Sequence, residues 1–429
     1  MFEKFEKLVN LALAEGFEKA EVYASAVGSF SVGVYEGHIE NYSVAKRAGL
    51  SLRGLLNGQM GYASTESDDE SEYAELVARA KENAEVLESQ DEQFLYDGTE
   101  KLDWISSLNP ELEKVTPEQK IALAMDLEKK CLELGGEGTR VASCEVGTDS
   151  SSCVMVNSLG LHRTFESNTA YAAVEVVIAQ GDKQYPGFAF RFTRDFNELN
   201  VEELAKEALA EARKYIGAQS IPSAAMPVVM DKAAMRTMLA TFAGVFSAEA
   251  AQKGLSLLGG KEGGNVAAST VTIWDDPSDG LGLAGMPFDG EGVPTQKKAV
   301  VENGKLNTLL YTLKSAKKAG KNTTGNAARA SYMSTVGTAP TNFYIAPGKN
   351  TVEQLYQMAG NGVRIDELMG THAGANPISG DFSLSCKGMK IENGKLTGPV
   401  EQITVSGNFY KLLEGIRAVG DDLWFGFPG

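Results

Sequence analysis

Apolar and polar positions follow two different periods along the chain, and these periods predict its first elements. An amphipathic helix ending at Gly16 is predicted by apolar residues at helical spacing, namely Phe2, Phe5, Leu8, Val9 and Ala12. Alternating positions then predict five short strands, over residues 22–26, 31–35, 39–45, 50–55 and 59–64. Asn57-Gly58 separates the last two strands and is typical of a type I′ hairpin. An antiparallel meander is therefore expected.

A second segment repeats this order of helix, strands and helix. The pair Ser67 and Glu70 predicts a capping box that starts the helix closing the first segment. Thr116 and Gln119 predict a second capping box, which opens the next segment. Asn200 is the predicted N-cap of its closing helix. The strands between them are predicted over residues 141–146, 153–156, 170–179 and 187–192.

Prolines at 222 and 227 break both periods, so we place a domain boundary near residue 222. The fold class predicted is α+β. Residues 1–221 are expected to form a domain of antiparallel sheets with flanking helices, in two related halves of about 1–90 and 115–217. Residues 222–429 are expected to form a mostly β domain with a curved, barrel-like sheet.

Within the second domain, Asp231 is a predicted N-cap of a helix that continues to about Lys253. Residues 265–409 are predicted to be largely β. Asn-Gly pairs at 303–304 and 393–394 indicate two hairpins there. A last helix is predicted over residues 409–419.

Composition limits the class of protein. A chain of 429 residues that is 43% hydrophobic is too long for one ordinary core. Its formal net charge of -17 repels phosphate backbones, which argues against direct nucleic-acid binding. Its four cysteines lack CxxC spacing, and no apolar run approaches the roughly 20 residues that span a bilayer. We therefore expect a cytoplasmic protein that does not bind membranes.

The histidines give little support to a metal site. His38, His162 and His372 are far apart and are never paired at helical spacing. His372, Ser379 and Asp381 lie within ten residues of one another, but catalytic triads are assembled from distant segments. A glycine-rich loop in which Asp381 binds backbone amides is the preferred interpretation. Cys386, on a predicted apolar strand, is interpreted as a buried filler.

The segment from Phe246 to Gly254 has a helical glutamate, Glu249, with no histidine on either side. Zinc in a catalytic site usually has three protein ligands and an open position for water. Ala248 has no donor atom, and Lys253 would bring a cation toward a dication. Glu249 is instead expected to pair with Lys253 at i,i+4 spacing. No catalytic residue and no metal ligand is therefore predicted in this chain.

Several separated motifs, taken together and in order, resemble the TldD/PmbA family. They are residues 288–295, 302–304, 324–327, 380–383 and 406–408, with Arg53, Gly58, Gly61, Tyr62 and residues 157–160 in the first domain. The resemblance implies a cytosolic heterodimeric zinc metalloprotease that processes short, unfolded peptides. Its TldD-type subunit carries zinc on a His-Glu-x-x-x-His motif with a downstream cysteine, and its TldE (PmbA) subunit lacks these ligands.

The family motif aligns with Ala248, Glu249 and Lys253, and the cysteine position falls near Thr371. The leading expectation is a non-catalytic PmbA/TldE-like subunit that pairs with a zinc-bearing TldD-like partner around a peptide chamber. Chamber or interface residues are expected on loops, at Phe288, Asp289, Glu291, Thr324, Asn326, His372, Asn376 and Asp381.

Three alternatives stay open. The isolated chain forms a homodimer, it binds and modulates DNA gyrase as an older name of the family implies, or it is a peptidase by itself through His372 and Glu249. The acidic charge opposes contact with DNA but leaves contact with a protein open.

Overall fold

A six-stranded antiparallel sheet forms the centre of the amino-terminal part. The computed structural model describes residues 2–88, 91–100, 102, 107–278 and 282–426. The strands of this sheet are β1 (Lys19–Tyr35), β2 (His38–Leu56), β3 (Gln59–Thr65), β4 (Thr139–Asn157), β5 (His162–Gln180) and β6 (Lys183–Thr193). Their order is β3-β2-β1-β4-β5-β6, so the two segments of the chain meet where β1 pairs with β4.

One face of this sheet is covered by helices α1 (Phe2–Ala14), α2 (Tyr73–Glu85), α3 (Pro117–Gly135) and α4 (Val201–Lys214). Val22 shares a core with α1 and α2, and Val32 shares a second core with α3 and α4. Two glycines of the sheet lie very close to these helices. A Cβ on Gly61 would lie 2.0 Å from the carbonyl oxygen of Ala80, and one on Gly187 would lie 2.2 Å from that of Ala208.

The structure confirms some of the turns and helix caps that the sequence predicts in this part and contradicts another. The Asn57-Gly58 hairpin is confirmed, with φ of 51° and 77°. The Thr116 capping box is confirmed as well. The Ser67 capping box is wrong, because Asp69 accepts the hydrogen bond from the Ser71 amide and a 3₁₀ turn precedes α2.

The divided strands predicted over 22–26 and 31–35 are also wrong, and so is the division between 141–146 and 153–156. β1 and β4 are continuous, because the residues between the predicted strands pair on both sides. Val27, for example, lies opposite Arg47 of β2 and Ser151 of β4. Pairing with two neighbours keeps a strand extended where its own hydrophobic pattern fades.

The carboxy-terminal part contains two open four-stranded sheets. Their strands are β7 (Val228–Met230), β8 (Ile273–Asp275), β9 (Lys298–Glu302), β10 (Lys305–Leu306), β11 (Ala327–Ala328), β12 (Gly337–Thr338), β13 (Phe343–Ile345), β14 (Gly362–Met369), β15 (Asp381–Glu392) and β16 (Lys395–Asn408), of which β11 and β12 form a separate pair. The sheet orders are β10-β9-β8-β13 and β16-β15-β14-β7. Both predicted Asn-Gly hairpins are present, at β9-β10 and β15-β16.

The helices of this part are α5 (Lys232–Phe242), α6 (Ala248–Gln252), α7 (Leu313–Ala319), α8 (Val352–Ala359), α9 (Thr371–Gly374) and α10 (Phe409–Gly415). Phe242 stacks on Phe409 at 4.6 Å between ring centroids, within the core that the sheets and helices share. The α+β prediction is confirmed, and the curved, barrel-like sheet takes the form of two open sheets in the described residues.

The single helix predicted from Asp231 to Lys253 is wrong in its length. Asp231 does cap α5, but a 3₁₀ turn follows over Ala243–Phe246, and Ser247 starts α6 as a new N-cap. The last helix ends at Gly415 rather than at residue 419. Among the described residues, no helix has both the length and the apolar character needed to cross a membrane.

The second face of the six-stranded sheet packs against the carboxy-terminal part. Tyr23, Met155 and Phe165 of the sheet form one buried cluster with Phe288 and Tyr332. A polar contact lies elsewhere between the two parts, where Nζ of Lys214 is 2.8 Å from Oδ2 of Asp366. The hydroxyl of Tyr215 donates to the same oxygen at 2.9 Å. The two parts are therefore joined by both apolar and charged side chains.

Candidate functional site

The three residues that the resemblance aligns with a metal motif lie on the short helix α6 and at its C-cap, Lys253. Ser247 caps the start of the helix, and its hydroxyl accepts a hydrogen bond from the amide of Ala250 at 3.3 Å. Ala248 is buried in the carboxy-terminal core. The Glu249 carboxylate accepts a hydrogen bond from Nζ of Lys253 at 2.7 Å, which confirms the predicted i,i+4 pair. The motif positions thus hold a buried methyl group and a closed ion pair.

The cleft beside α6 is rich in lysine. Its lining includes Glu249, Lys253, Lys314, Lys318 and Asp91. Nζ of Lys314 and Nζ of Lys318 each lie 3.0 Å from a carboxylate oxygen of Asp91. The cleft has a volume of only about 20 Å³, close to that of one water molecule. Ammonium groups therefore occupy the space in which a metal centre would need neutral or anionic donors.

A second group of charged side chains is buried between the two parts of the chain. Glu21 and Arg53 come from β1 and β2, and Asp289, Glu291 and Arg329 come from the carboxy-terminal part. Nε of Arg53 donates to Oε1 of Glu21 at 2.7 Å, and Nη2 of Arg329 donates to the same oxygen at 2.6 Å. We call these five residues the interdomain charge cluster.

The loop that carries Asp289 and Glu291 is held by its own backbone amides. Oδ1 of Asp289 accepts from the amides of Glu291 at 2.8 Å and Val293 at 3.1 Å, and Oδ2 accepts from the amide of Ala327 at 2.9 Å. The carboxylate of Glu291 contacts α7 and β2 instead. Its Oε2 accepts from the amide of Leu313 at 2.8 Å, and its Oε1 lies 3.6 Å from Nη1 of Arg53. The loop therefore connects α7 with β2.

Burial determines the protonation of this cluster. Burial, and then the charge of Glu291, raise the pKa of Asp289 to about 7. Burial also raises the pKa of Glu291, against the opposing effect of Arg53. Burial would raise the pKa of Glu21 too, but the guanidinium groups of Arg53 and Arg329 outweigh it and lower that pKa. Within the cluster, the raised pKa values thus belong to Asp289 and Glu291 and the lowered one to Glu21.

Several of the predicted chamber residues lie together at this cluster. Phe288, Asp289 and Asn326 line one cavity, and Glu291 adjoins it. The hydroxyl of Thr324 donates to Oδ1 of Asn326 at 2.7 Å. Nδ2 of Asn326 in turn donates to the buried carboxylate of Asp275 at 2.7 Å. These loops are therefore fixed elements of the interface between the two parts.

The remaining predicted residues are placed elsewhere. His372 is exposed on α9, and the loop after it leads into β15. The predicted amide-binding role of Asp381 belongs to Asn376, whose Oδ1 accepts from the amides of Ile378 at 2.9 Å and Ser379 at 3.2 Å. Asp381 accepts instead from Nδ2 of Asn408 at 2.9 Å.

The other histidines lie at the starts of strands β2 and β5, and the four cysteines are buried. Nε2 of His162 lies 2.7 Å from Oε1 of Glu6, which ties β5 to α1, and His38 begins β2. Cys131, Cys144, Cys153 and Cys386 are free and buried. Burial raises the pKa of the Cys386 thiol, in keeping with its interpretation as a filler. In the part of the chain that the structure describes, no group of three or more histidine, cysteine, aspartate or glutamate side chains could hold a metal ion.

The sequence predicts three members of the interdomain charge cluster, with Asp289 and Glu291 as chamber or interface residues and Arg53 as part of a family motif. It does not predict Glu21 and Arg329. One signal was available, because Glu21 and Arg53 stand opposite each other in neighbouring strands. Reading that pairing requires the register of the β1-β2 hairpin.

Comparisons with known proteins cover nearly the whole chain. Models of the PmbA/TldA metallopeptidase family match three regions: domain 1 at residues 20–84, the central domain at residues 110–215 and the C-terminal domain at residues 223–429. An uncharacterized protein of Methanocaldococcus jannaschii is 28% identical over 97% of this chain and 94% of its own length. The metalloprotease PmbA of Escherichia coli O157:H7 is 26% identical over 96% of this chain and 90% of its own length.

Solved structures share the fold. A Thermotoga maritima protein described as a candidate modulator of a DNA gyrase superposes with a TM-score of 0.91 at 31% identity, covering 100% of this chain and 97% of that one. TldE from Thermococcus kodakarensis superposes with a TM-score of 0.87 at 24% identity, covering 98% of this chain and 94% of that one. The second similarity is one of fold alone.

Proposed function

The chain belongs to the PmbA/TldA metallopeptidase family, and from this membership we propose that it is a cytoplasmic, non-catalytic subunit of the PmbA/TldE type. In this proposal it pairs with a zinc-bearing TldD-like partner, and the pair cleaves short, unfolded peptides. The partner supplies the metal and the activated water. This chain supplies part of the chamber and of the peptide-holding surface.

The proposal rests on the residues that occupy the metal-motif positions at helix α6. A metallopeptidase glutamate acts as a general base only if a metal-bound water lies beside it. Here Glu249 is bonded to Lys253 at 2.7 Å, and Ala248 offers no ligand atom at the position before it. A carboxylate paired with an ammonium group, with no metal-ligand side chain at the motif positions beside it, is not expected to hydrolyse an amide at a useful rate.

We assign pairing with the partner to the exposed part of β2. Residues 38–48 of this strand are all exposed. β3 pairs only with residues 50–56, so within the described residues this part of β2 has a neighbouring strand on one side alone. Tyr42 and Val44 are 52% and 68% exposed on it. An unpaired edge with exposed apolar side chains is the type of surface that accepts a strand from another chain.

The test uses a labelled unfolded peptide with three samples: this chain alone, the TldD-like protein of the same genome alone, and the two mixed. Cleavage in the mixture alone, with zinc found only in the partner, is the expected result. Stoichiometric zinc in this isolated chain, or cleavage by it without the partner, contradicts the proposal. Elemental analysis and mass spectrometry of the products provide both readouts.

A second candidate function is binding to DNA gyrase as a regulator. The description of the Thermotoga maritima relative, which is 31% identical, favours it. The net charge of -17 is compatible with binding a protein rather than DNA. Co-purification separates the two functions, because recovery of gyrase without a TldD-like protein supports regulation and the reverse supports the peptidase subunit.

A further inference from the structure

The aromatic side chains of β6 form a row on the second face of the six-stranded sheet, the face without helices. Gly187 and Ala189 face α4, so Phe188, Phe190 and Phe192 point to the opposite side. Phe188 is 48% exposed, and the other two rings are partly exposed. Ring centroids are 5.6 Å apart between Phe188 and Phe190 and 6.0 Å apart between Phe190 and Phe192. The apolar cluster that joins the two parts of the chain covers the other end of this face.

Tyr171 extends this row of rings onto β5. Its ring centroid lies 5.6 Å from that of Phe192. The ring lies over Gly147 of β4, where an added Cβ would be 2.5 Å from Cε1 of the tyrosine. From the carboxy-terminal part, Trp424 approaches Phe190 at 6.2 Å between ring centroids. Aromatic rings from two strands and from the end of the chain therefore line this part of the face.

Three carboxylates share the face with these rings. The alternate residues of β4 and β5 belong to the core under the helices, so Glu145, Asp149 and Glu175 point to the second face. All three are partly exposed. The hydroxyl of Tyr171 donates to Oε1 of Glu145, and Glu175 stands directly opposite Phe188 in the pairing of β5 with β6. Two of the carboxylates thus each lie beside an aromatic ring.

The negative charge of these carboxylates is not paired with a basic side chain. Within the described residues, none of the three forms an ion pair. Burial, and then the charge of Glu145, raise the pKa of Asp149. Arg140, opposite Val177 at the end of the face, donates instead to Oε1 of Gln184 at 3.2 Å. A cation that reached the face from solution would therefore find accessible carboxylate oxygens beside aromatic rings.

We call this surface the aromatic face; it comprises Glu145, Asp149, Tyr171, Glu175, Phe188, Phe190 and Phe192. A guanidinium group stacks on aromatic rings and binds a carboxylate through two parallel hydrogen bonds, whereas an acidic peptide would be repelled. We propose that the aromatic face binds an unfolded peptide that carries arginine side chains among apolar ones. The carboxylates pair with the arginines, and the rings contact the apolar side chains. This inference rests on the proposed function, since it names the class of peptide that the subunit holds for cleavage.

The test measures binding of three labelled heptapeptides to the full chain without a partner, by fluorescence anisotropy. Two positions that flank a central leucine carry arginine, citrulline or glutamate. The arginine peptide should bind at least about tenfold more tightly than the citrulline peptide, which has nearly the same shape without the charge. High salt should reduce that difference. Equal affinity of these two peptides, or tighter binding of the glutamate peptide, overturns the proposal.

The same peptides separate this inference from the proposed function. If the mixture with the TldD-like protein cleaves all three peptides and this chain shows no preference for arginine, only the inference fails. If this chain prefers arginine and the mixture cleaves none of them, the proposed function fails.

Two pairs of variants locate the binding surface. Glu175→Gln should weaken binding of the arginine peptide by about three- to tenfold, whereas Glu203→Gln, at an exposed residue of α4, should not. Both variants change the net charge equally, so general attraction to a chain of charge -17 would affect them alike. Phe188→Ala should weaken binding of the arginine and citrulline peptides, and Leu159→Ala, at a residue that is 37% exposed, is its control.

Unchanged affinity for the arginine peptide in either Glu175→Gln or Phe188→Ala overturns the proposal. Analytical ultracentrifugation of the chain alone tests the other possible occupant, a second copy of the chain. A dimer that Phe188→Ala dissociates would assign the aromatic face to self-association and would also overturn the proposal.

Discussion

Nζ of Lys253, the C-cap residue of α6, lies 2.7 Å from Oε1 of Glu249, four residues earlier in the chain. Both side chains are partly exposed, so solvent screens the pair and its contribution to stability is small. Lys253→Ala should therefore lower the free energy of unfolding by less than about 1 kcal/mol. Urea unfolding measures this change in free energy. Lys206→Ala, in the exposed Glu202–Lys206 pair, is the control.

The same variant tests whether the ion pair only masks a metal site. Lys253→Ala frees Glu249, but Ala248 still offers no ligand atom. The variant should bind no stoichiometric zinc and should cleave no peptide by itself. Zinc acquired by this single change would show that the lysine alone had suppressed a working site.

Glu21 is expected to be far more important for stability. It is fully buried and accepts hydrogen bonds from both Arg53 and Arg329. Glu21→Gln would leave two buried guanidinium groups with a neutral partner, which should lower the free energy of unfolding by about 3–5 kcal/mol. Glu202→Gln, in an exposed pair, should change it by less than about 1 kcal/mol. Similar unfolding midpoints for the two variants would contradict the importance assigned to the cluster.

Asp289 should give the fold a specific pH dependence. Its pKa is raised from 3.8 in the unfolded chain to about 7 in the fold, by burial and by Glu291. The folded protein therefore holds more protons than the unfolded chain between these values, and stability falls as pH rises from about 4 to 7. Glu21, with a lowered pKa, acts in the opposite direction, and its contribution is lost on acidification below about 4.5.

Urea unfolding at pH 5, 6 and 7 measures the effect of the Asp289–Glu291 pair, because burial raises the pKa of both carboxyl groups whereas the pKa of Glu21 is lowered. Asp289→Asn should flatten the slope in this range, even though the variant is less stable at every pH. If the free energy of unfolding of Asp289→Asn depends on pH as strongly as that of the unchanged chain, Asp289 is not the group that binds the proton.

The close contacts of helices with β3 and β6 predict the effect of a single methyl group. Gly61→Ala and Gly187→Ala place a Cβ within 2.0 and 2.2 Å of helix carbonyl oxygens, so each should destabilise the fold by roughly 1–3 kcal/mol or more. Gly244→Ala is the control, because no atom lies within 4 Å of a Cβ there. Thermal unfolding of the three variants provides the comparison, and equal midpoints would contradict the close approach.

The exposed part of β2 can be tested separately from the fold. Val44→Lys places a charge on the surface assigned to the partner, and it should weaken the complex with the TldD-like protein by at least about tenfold. Because Val44 is 68% exposed, the stability of the isolated chain should hardly change. Val86→Lys, at a residue that is 78% exposed near the end of α2, is the matched control. If Val44→Lys binds the TldD-like protein with unaltered affinity, the interface lies elsewhere on this chain.

Predictions from sequence succeeded where the cause was local. The Asn-Gly pairs at 57–58, 303–304 and 393–394 all form turns, because asparagine and glycine tolerate positive φ better than other residues. The Thr116 capping box and the Glu249–Lys253 pair also depend only on residues within one helical turn.

Predictions failed where neighbouring strands decide the structure, as in the division of β1 into two short strands. The register of the β1-β2 hairpin is a feature that the hydrophobic pattern does not give at all. Counting back from Tyr35 opposite His38 would place Glu21 opposite Leu52, and Arg53 on the other face of the sheet. An irregularity at Glu40 shifts the register by one residue, so that Glu21 stands opposite Arg53. A register counted from the turn alone would therefore not predict the buried ion pair of Glu21 and Arg53.

The central pairing of β1 with β4 has a consequence for how the chain can be divided. Residues 21–33 pair with residues 145–157, and each segment before and after brings its own helices to the same sheet. Two separate polypeptides, cut between α2 and α3, would each expose a long edge that only the other can complete. Co-expressed fragments should thus reassemble into one body, and neither should be recovered in soluble form without its complement.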